Sequence, residues 1–128
     1  MMRTTRPADV VLLRAAALVA GGLARGRYAE TASGQTCDPC AATAARWDLT
    51  GAVVRAVYEA GGPREFDAPE VRGLLEVVEL ALRREGEPLP SDPNFDTALH
   101  AWSDAAAPGR ASEVLVAAAA RMRQAVTR

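Results

Sequence analysis

Apolar residues recur at helical spacing along most of this chain, and this periodicity limits the fold more than any other feature. The clearest case follows Asp67, where apolar residues stand three or four positions apart and charged residues occupy the opposite face. Asp67 and Glu70 flank Pro69 as a capping-box-like pair, and Gly86 follows the segment, so we predict a helix between these limits. Its predicted buried stripe is Val71, Leu74, Leu75, Val78, Ala81 and Leu82.

Alanine favours the same fold class, because it fills 28 of 128 positions and is the best helix former. We predict an all-α fold: one compact bundle of about five helices in a single domain over residues 1–128, with residues 1–7 flexible. The six aromatic residues are expected to fill the large spaces of its core. Lysine is absent, which excludes Schiff-base and P-loop lysine chemistry.

Breaks in the periodicity place the other helices at about residues 8–25, 38–60, 94–106 and 111–127. The first is expected to bury Leu12, Leu13, Val19 and Ala20, among others. The fourth is expected to bury Phe95, Ala98, Leu99 and Trp102. The second is expected to start at Asp38 as N-cap. A longer polar loop, residues 27–36, separates these two helices and is the predicted lid of any site.

Charge and hydropathy limit the classes of partner that this chain is expected to bind. The net charge is −1 and the arginines are spread over all segments, so we expect neither a nucleic-acid partner nor a membrane partner. The apolar run from residue 15 to residue 24 superficially looks like a signal peptide, but its amphipathic spacing favours a helix. The expectation is a cytoplasmic protein, monomeric or homodimeric, that binds a small molecule or a protein partner.

Several short segments carry a resemblance. They are residues 46–56 (RWDLTGAVVRA), 102–104 (WSD) and 108–110 (PGR). With them the chain resembles a family of small uncharacterised proteins of about 130 residues, found mainly in actinobacteria and their phages. That family usually has cysteine where Asp48 stands and asparagine where Ser103 stands. It has no assigned activity, so the resemblance transfers no catalytic role, and the change at Asp48 suggests a specialised member.

Cys37 and Cys40 form the most specific short motif, C-D-P-C, at a predicted helix start. A helix N-terminus favours a thiolate, which would suit thiol redox chemistry, although no βαβ pattern surrounds the motif. The same two thiols can ligate zinc, with His100 and a carboxylate or water completing the site. The third interpretation is two reduced thiols without a function.

His100 lies between Asp96 and Asp104 at spacings of four residues, so the three share one helical stripe. Neighbouring carboxylates favour the protonated imidazole, and such a group can serve acid–base catalysis. The alternative is a solvated helix face with a weak charge pair.

Gly51 lies inside a predicted helix, where glycine costs about 1 kcal/mol relative to alanine, so something is expected to approach it closely. That neighbour is either another part of the chain or a ligand held between Asp48 and Arg55. The predicted ligand-binding residues are Tyr28, Trp47, Gly51 and Arg55.

Three functional hypotheses follow. The first is a small helical protein of specialised metabolism that binds a small molecule or a protein partner without a cofactor. The second is a cofactor-independent enzyme in which Asp48, His100 and Asp104 perform acid–base chemistry, which requires Asp48 to lie within about 15 Å of His100. The third is a thiol-redox or zinc protein that acts through Cys37 and Cys40.

Overall fold

A computed structural model describes residues 7–87, 89 and 95–126, with the backbone alone at residues 95–97 and 125–126. The expected flexible segment 1–7 lies outside this range apart from Pro7. Five helices and one two-stranded antiparallel sheet make up the described chain. In chain order they are α1 (Ala8–Ala20), β1 (Ala29–Thr31), β2 (Ala44–Trp47), α2 (Leu49–Glu59), α3 (Pro69–Arg84), α4 (Phe95–Ala105) and α5 (Pro108–Val126).

The core lies between α1, α2, α3 and α5, and α4 closes it beside α2. In α3 every residue of the predicted stripe is buried, which confirms the periodicity. In α1 the prediction was partly wrong, because Leu13 and Ala20 are exposed while Val11, Ala15 and Leu18 are buried. This helix packs against both α5 and α2, so its buried face is turned relative to the one we expected.

The small sheet corrects the purely all-α prediction. Strand β1 pairs with β2 antiparallel, with Ala29 opposite Trp47 and Glu30 opposite Arg46. The Arg46 guanidinium binds the carboxylate of Glu30 across the pair. Strand β2 therefore occupies residues that helical propensity alone assigned to the second helix, because cross-strand pairing outweighs the preference of alanine for helix. Strand β1 lies within residues 27–36, which we had predicted to be a loop.

Helix α2 consequently begins later than predicted. Asp48, and not Asp38, is its N-cap: Oδ1 of Asp48 accepts a hydrogen bond from the Gly51 amide at 2.6 Å. Asp38 instead accepts from the Cys40 amide at 2.7 Å in the preceding loop. The predicted capping box of α3 was also wrong, since its N-cap is Ala68 and no side chain caps it.

Helix α4 buries Ala98, Leu99 and Trp102, as the periodicity predicted. The same expectation for the Phe95 side chain, and the Asp96 member of the predicted polar stripe, fall outside the described side chains. Among the described helices, none is both long enough and apolar enough to cross a bilayer.

Candidate active site

Asp48 and His100 meet where the start of α2 packs against α4. The His100 Nδ1 lies 2.8 Å from the Asp48 Oδ2, and the Asp48 side chain is fully buried. Both atoms are buried, and neither makes a hydrogen bond of good geometry with any described residue. The contact is therefore an ion-pair contact between the carboxylate and the imidazole, and it favours a proton on Nδ1, beside the carboxylate.

Each oxygen of Asp48 has a separate contact. Oδ1 accepts from the Gly51 amide, which fixes the carboxylate in the first turn of α2, and Oδ2 faces His100. The backbone amide of Asp48 donates to the Tyr28 carbonyl at 3.1 Å. The carboxylate is thus held rigidly before any ligand binds, which is the preorganisation that acid–base chemistry needs.

Burial and pairing act on both pKa values. Contact with the Asp48 carboxylate raises the pKa of His100 above its ordinary value, against a smaller opposing effect of burial. Burial raises the pKa of Asp48, and the contacts with His100 and with the Gly51 amide offset part of this rise. A buried carboxyl and an imidazole that share a proton in this way form the acid–base pair used to orient and charge a histidine.

A network of hydrogen bonds holds α4 against the start of α2. The Ser103 hydroxyl is buried and accepts from the Leu49 amide at 3.0 Å. The Asp104 Oδ1 accepts from the Gly26 amide at 2.7 Å, and Arg25 donates to the carbonyls of Ser103 and Asp104. Asp104, a predicted acid–base residue, lies exposed at the surface, where it fixes the chain before β1.

His100 lines a cavity of about 810 Å³ on the side away from the core. This volume falls within the range typical of small-molecule sites. The His100 side chain is 31% exposed although Nδ1 is buried, so the exposed part of the ring lies away from Nδ1. The other walls are residues 26–28, 36–39 and 64–67, with Val54.

Aromatic rings form the wall beside His100. Tyr28 lies 5.3 Å from the His100 ring and stacks on Phe66, with the two ring centroids 5.5 Å apart. Tyr28 is 37% exposed and Phe66 is 43% exposed, and Tyr58 is exposed as well, so the expectation that the aromatics fill the core was wrong for these three. Trp47 and Trp102 are buried as expected.

The other predicted ligand-binding residues lie away from the cavity wall. The chain itself approaches Gly51: an added Cβ would overlap the Tyr28 carbonyl oxygen and lie 2.8 Å from the Tyr28 carbonyl carbon. Trp47 is buried and donates through its indole N–H to the Pro39 carbonyl at 2.9 Å. Arg55 donates to the Ala41 carbonyl at 2.9 Å and pairs with Glu59. Trp47 and Arg55 thus hold the loop that carries the cysteines.

The two cysteines are free and differ in environment. Cys37 is half-buried in the cavity wall, whereas Cys40 is buried beside the core, and burial raises the pKa of its thiol. The described residues contain no group of three or more histidine, cysteine or acidic side chains placed to hold one metal ion. A zinc site through this pair would therefore need ligands from elsewhere.

Phe66 and Ser103 are site residues that the sequence analysis did not select. Phe66 belongs to the connection between α2 and α3, where no periodicity marks a side chain as functional. Ser103 was noted only as a departure from a family pattern. Helical spacing predicted that Asp104 and His100 share one face. It did not indicate that the hydroxyl of the neighbouring Ser103 would accept a hydrogen bond from the Leu49 amide at the start of α2.

Comparison with known proteins identifies the family. A model of the family of unknown function DUF6197 matches residues 2–124, so the chain belongs to that family. This confirms the resemblance to a small uncharacterised family. No curated protein and no solved structure matches the chain.

Proposed function

We propose that this chain binds a small organic molecule in the cavity and catalyses a proton transfer on it without a cofactor. His100 is the catalytic residue and Asp48 is its positioning residue. The single observation that supports this most directly is the 2.8 Å contact between the buried Asp48 carboxylate and Nδ1 of a histidine that also lines the cavity.

The chemistry follows from the geometry. When Nδ1 carries the proton beside the carboxylate, Nε2 has a lone pair and can accept a proton from a substrate in the cavity. The imidazolium that forms is stabilised by the adjacent carboxylate and can return the proton to another atom of the same substrate. The expected reaction class is therefore an isomerisation, or the addition or loss of water, in a compound of specialised metabolism.

The two helices also satisfy the condition set from the sequence. Catalysis by this pair required the start of α2 and the middle of α4 to lie near each other, and they are in contact. Asp104 supports the site in a different way from the one expected, by fixing Gly26 at the edge of the cavity. Binding without catalysis, the first hypothesis from the sequence, becomes one outcome of the test.

The test compares the chain with His100→Asn, which keeps a polar group opposite Asp48 but removes the titratable ring. Both proteins are incubated with a small-molecule extract from cells that carry the gene, and untargeted mass spectrometry records which compounds change. Val116→Ala is the matched control, because Val116 is 47% exposed on α5, away from the cavity. We expect the original protein and the control to convert the same compounds, each to an isomer or to a product that differs by one water.

His100→Asn should leave those compounds unchanged while it still folds, as judged by its circular dichroism and melting transition. Equal conversion by His100→Asn would refute the proposal. If no compound changes but some remain bound to the protein, the chain is a binder and the catalytic role of His100 is refuted.

A further inference from the structure

Two exposed aromatic rings stand in the cavity wall. Tyr28 and Phe66 are among the most exposed large apolar side chains that the structure describes, at 37% and 43%. They stack on each other with an angle of 29° between the ring planes. Exposed apolar surface that is gathered in a concave site commonly marks a place where a ligand binds.

The same wall continues to the acid–base pair. Tyr28 lies 5.3 Å from the His100 ring at an angle of 59°, so Phe66, Tyr28 and His100 follow one another along the cavity. Stacked or tilted aromatic pairs have centroids about 4.5–7 Å apart. A planar ring that packs on this wall beside Tyr28 would therefore lie next to the exposed part of the His100 side chain.

The charges around the cavity do not favour an anionic ligand. Arg27 donates to the Gly34 carbonyl at 2.7 Å and lies 3.7 Å from the Glu30 carboxylate. Arg64 lies 3.9 Å from the Asp38 carboxylate and covers the Tyr58 ring. Both guanidinium groups are thus engaged within the chain, and neither is positioned as a free clamp for a carboxylate or phosphate.

A cationic ligand fits no better. Glu65 and Asp67 add negative charge to the lining, but the guanidinium groups of Arg27 and Arg64 lie in the same lining. The Asp48–His100 pair itself carries no net charge when it shares one proton. A hydroxyl group suits such a pair, because it donates to the neutral imidazole and accepts from the imidazolium.

From this arrangement we infer that the ligand is an uncharged planar ring compound bearing a hydroxyl group, stacked on Tyr28 and Phe66 with the hydroxyl at Nε2 of His100. The inference rests on the proposed function, since it assigns the substrate class of the same site.

Four probes of similar size test this directly. They are 2-naphthol, naphthalene, naphthalene-2-sulfonate and the saturated alcohol 2-decalol. Comparing their affinities separates the effects of planarity, charge and the hydroxyl group on binding. Binding is followed by the NMR signal of His100, the single histidine of the sequence. Protection of Cys37 from alkylation, measured by intact mass, reports occupancy of the cavity independently. We expect 2-naphthol to bind more tightly than the other three.

Two variants separate the ring from the hydroxyl. Phe66→Leu retains apolar volume but loses the ring, and it should weaken 2-naphthol roughly two- to tenfold, the range expected for one aromatic pair. His100→Asn has no histidine signal, so its binding is followed by the protection of Cys37 alone. It should leave the affinity for naphthalene unchanged and reduce the preference for 2-naphthol over naphthalene by about fivefold, as expected for one hydrogen bond. Val116→Ala should change neither value.

The outcomes distinguish this inference from the proposed function. If 2-decalol or naphthalene-2-sulfonate binds as tightly as 2-naphthol, or if Phe66→Leu has no effect, the substrate class is wrong. The acid–base site would then stand if His100→Asn still abolishes conversion in the extract experiment. If His100→Asn abolishes no conversion there, the proposed function fails whichever probes bind.

Discussion

Replacing Gly51 by alanine sets two energetic effects of opposite sign against each other. Inside a helix, alanine is favoured over glycine by about 1 kcal/mol, so helical propensity alone predicts a more stable protein. At this position, however, the new Cβ would overlap the Tyr28 carbonyl oxygen. That carbonyl belongs to the backbone and accepts a hydrogen bond from the Asp48 amide at 3.1 Å. It therefore cannot move aside as the end of a flexible side chain can.

The clash should therefore outweigh the propensity. Overpacking of a rigid site costs about 1–3 kcal/mol or more, and we expect Gly51→Ala to lower the free energy of unfolding by about 2 kcal/mol net. Gly73→Ala is the matched control, because Gly73 lies inside α3 and an added Cβ there meets nothing within 4 Å. It should raise the free energy of unfolding by about 0.5–1 kcal/mol.

Urea unfolding followed by tryptophan fluorescence measures both variants, since Trp47 and Trp102 are each buried and report on the core. With a slope of about 1.5 kcal/mol per M, Gly51→Ala should lower the midpoint by about 1.3 M, whereas Gly73→Ala should raise it by about 0.5 M. Gly51→Ala should also shift the NMR signal of His100, which the displaced Tyr28 ring contacts. If Gly51→Ala is as stable as Gly73→Ala, the close approach of Tyr28 to α2 is refuted.

Three further predictions follow from the same contacts. Asp48→Asn should lower the pKa of His100 measured by NMR, because the contact that raises it is lost. The stability that comes from the raised pKa of His100 is present just below pH 6.5, where Asp48 is ionised, and is lost as the pH rises through the raised pKa of His100. Asp48→Asn should remove that decline, and an unchanged pH profile would contradict the pairing. Iodoacetamide should label Cys37 long before Cys40, which is buried and has a raised pKa, and mass mapping that finds equal rates would refute this assignment. Trp102→Ala should cost about 3–5 kcal/mol of unfolding free energy, and a urea midpoint close to that of the original protein would show that Trp102 is not part of the core.

Helix α3 and the hairpin show what the sequence could and could not predict. The stripe of α3 was readable because one buried face repeats every three or four residues over the whole helix. The hairpin was missed because β2 is short and alanine-rich, and its stability comes from pairing with residues 13 or more positions away. The secondary-structure preferences of the β2 residues do not indicate which distant residues they pair with.

The candidate site, too, could be predicted from the sequence only in part. Asp48 and His100 were selected for their chemistry, but their contact depends on how α2 meets α4, which no local pattern encodes. Phe66 was expected in the core by residue type, whereas Tyr28 was expected both to fill the core and to bind a ligand. Their exposure depends on the alanine-rich helices packing closely enough to need few large side chains between them.

The two oxygens of Asp48 have a consequence for how the family can diverge. One oxygen caps a helix and the other contacts a histidine, so under the proposed function the same side chain serves both folding and chemistry. Asparagine at this position could still cap α2, but it has no negative charge to stabilise a protonated His100. A relative that lacks the carboxylate, such as one with the cysteine noted above, could retain the cavity yet act on its ligand differently or only hold it. Within this family, the residue at the start of α2 would then distinguish catalysts from binders.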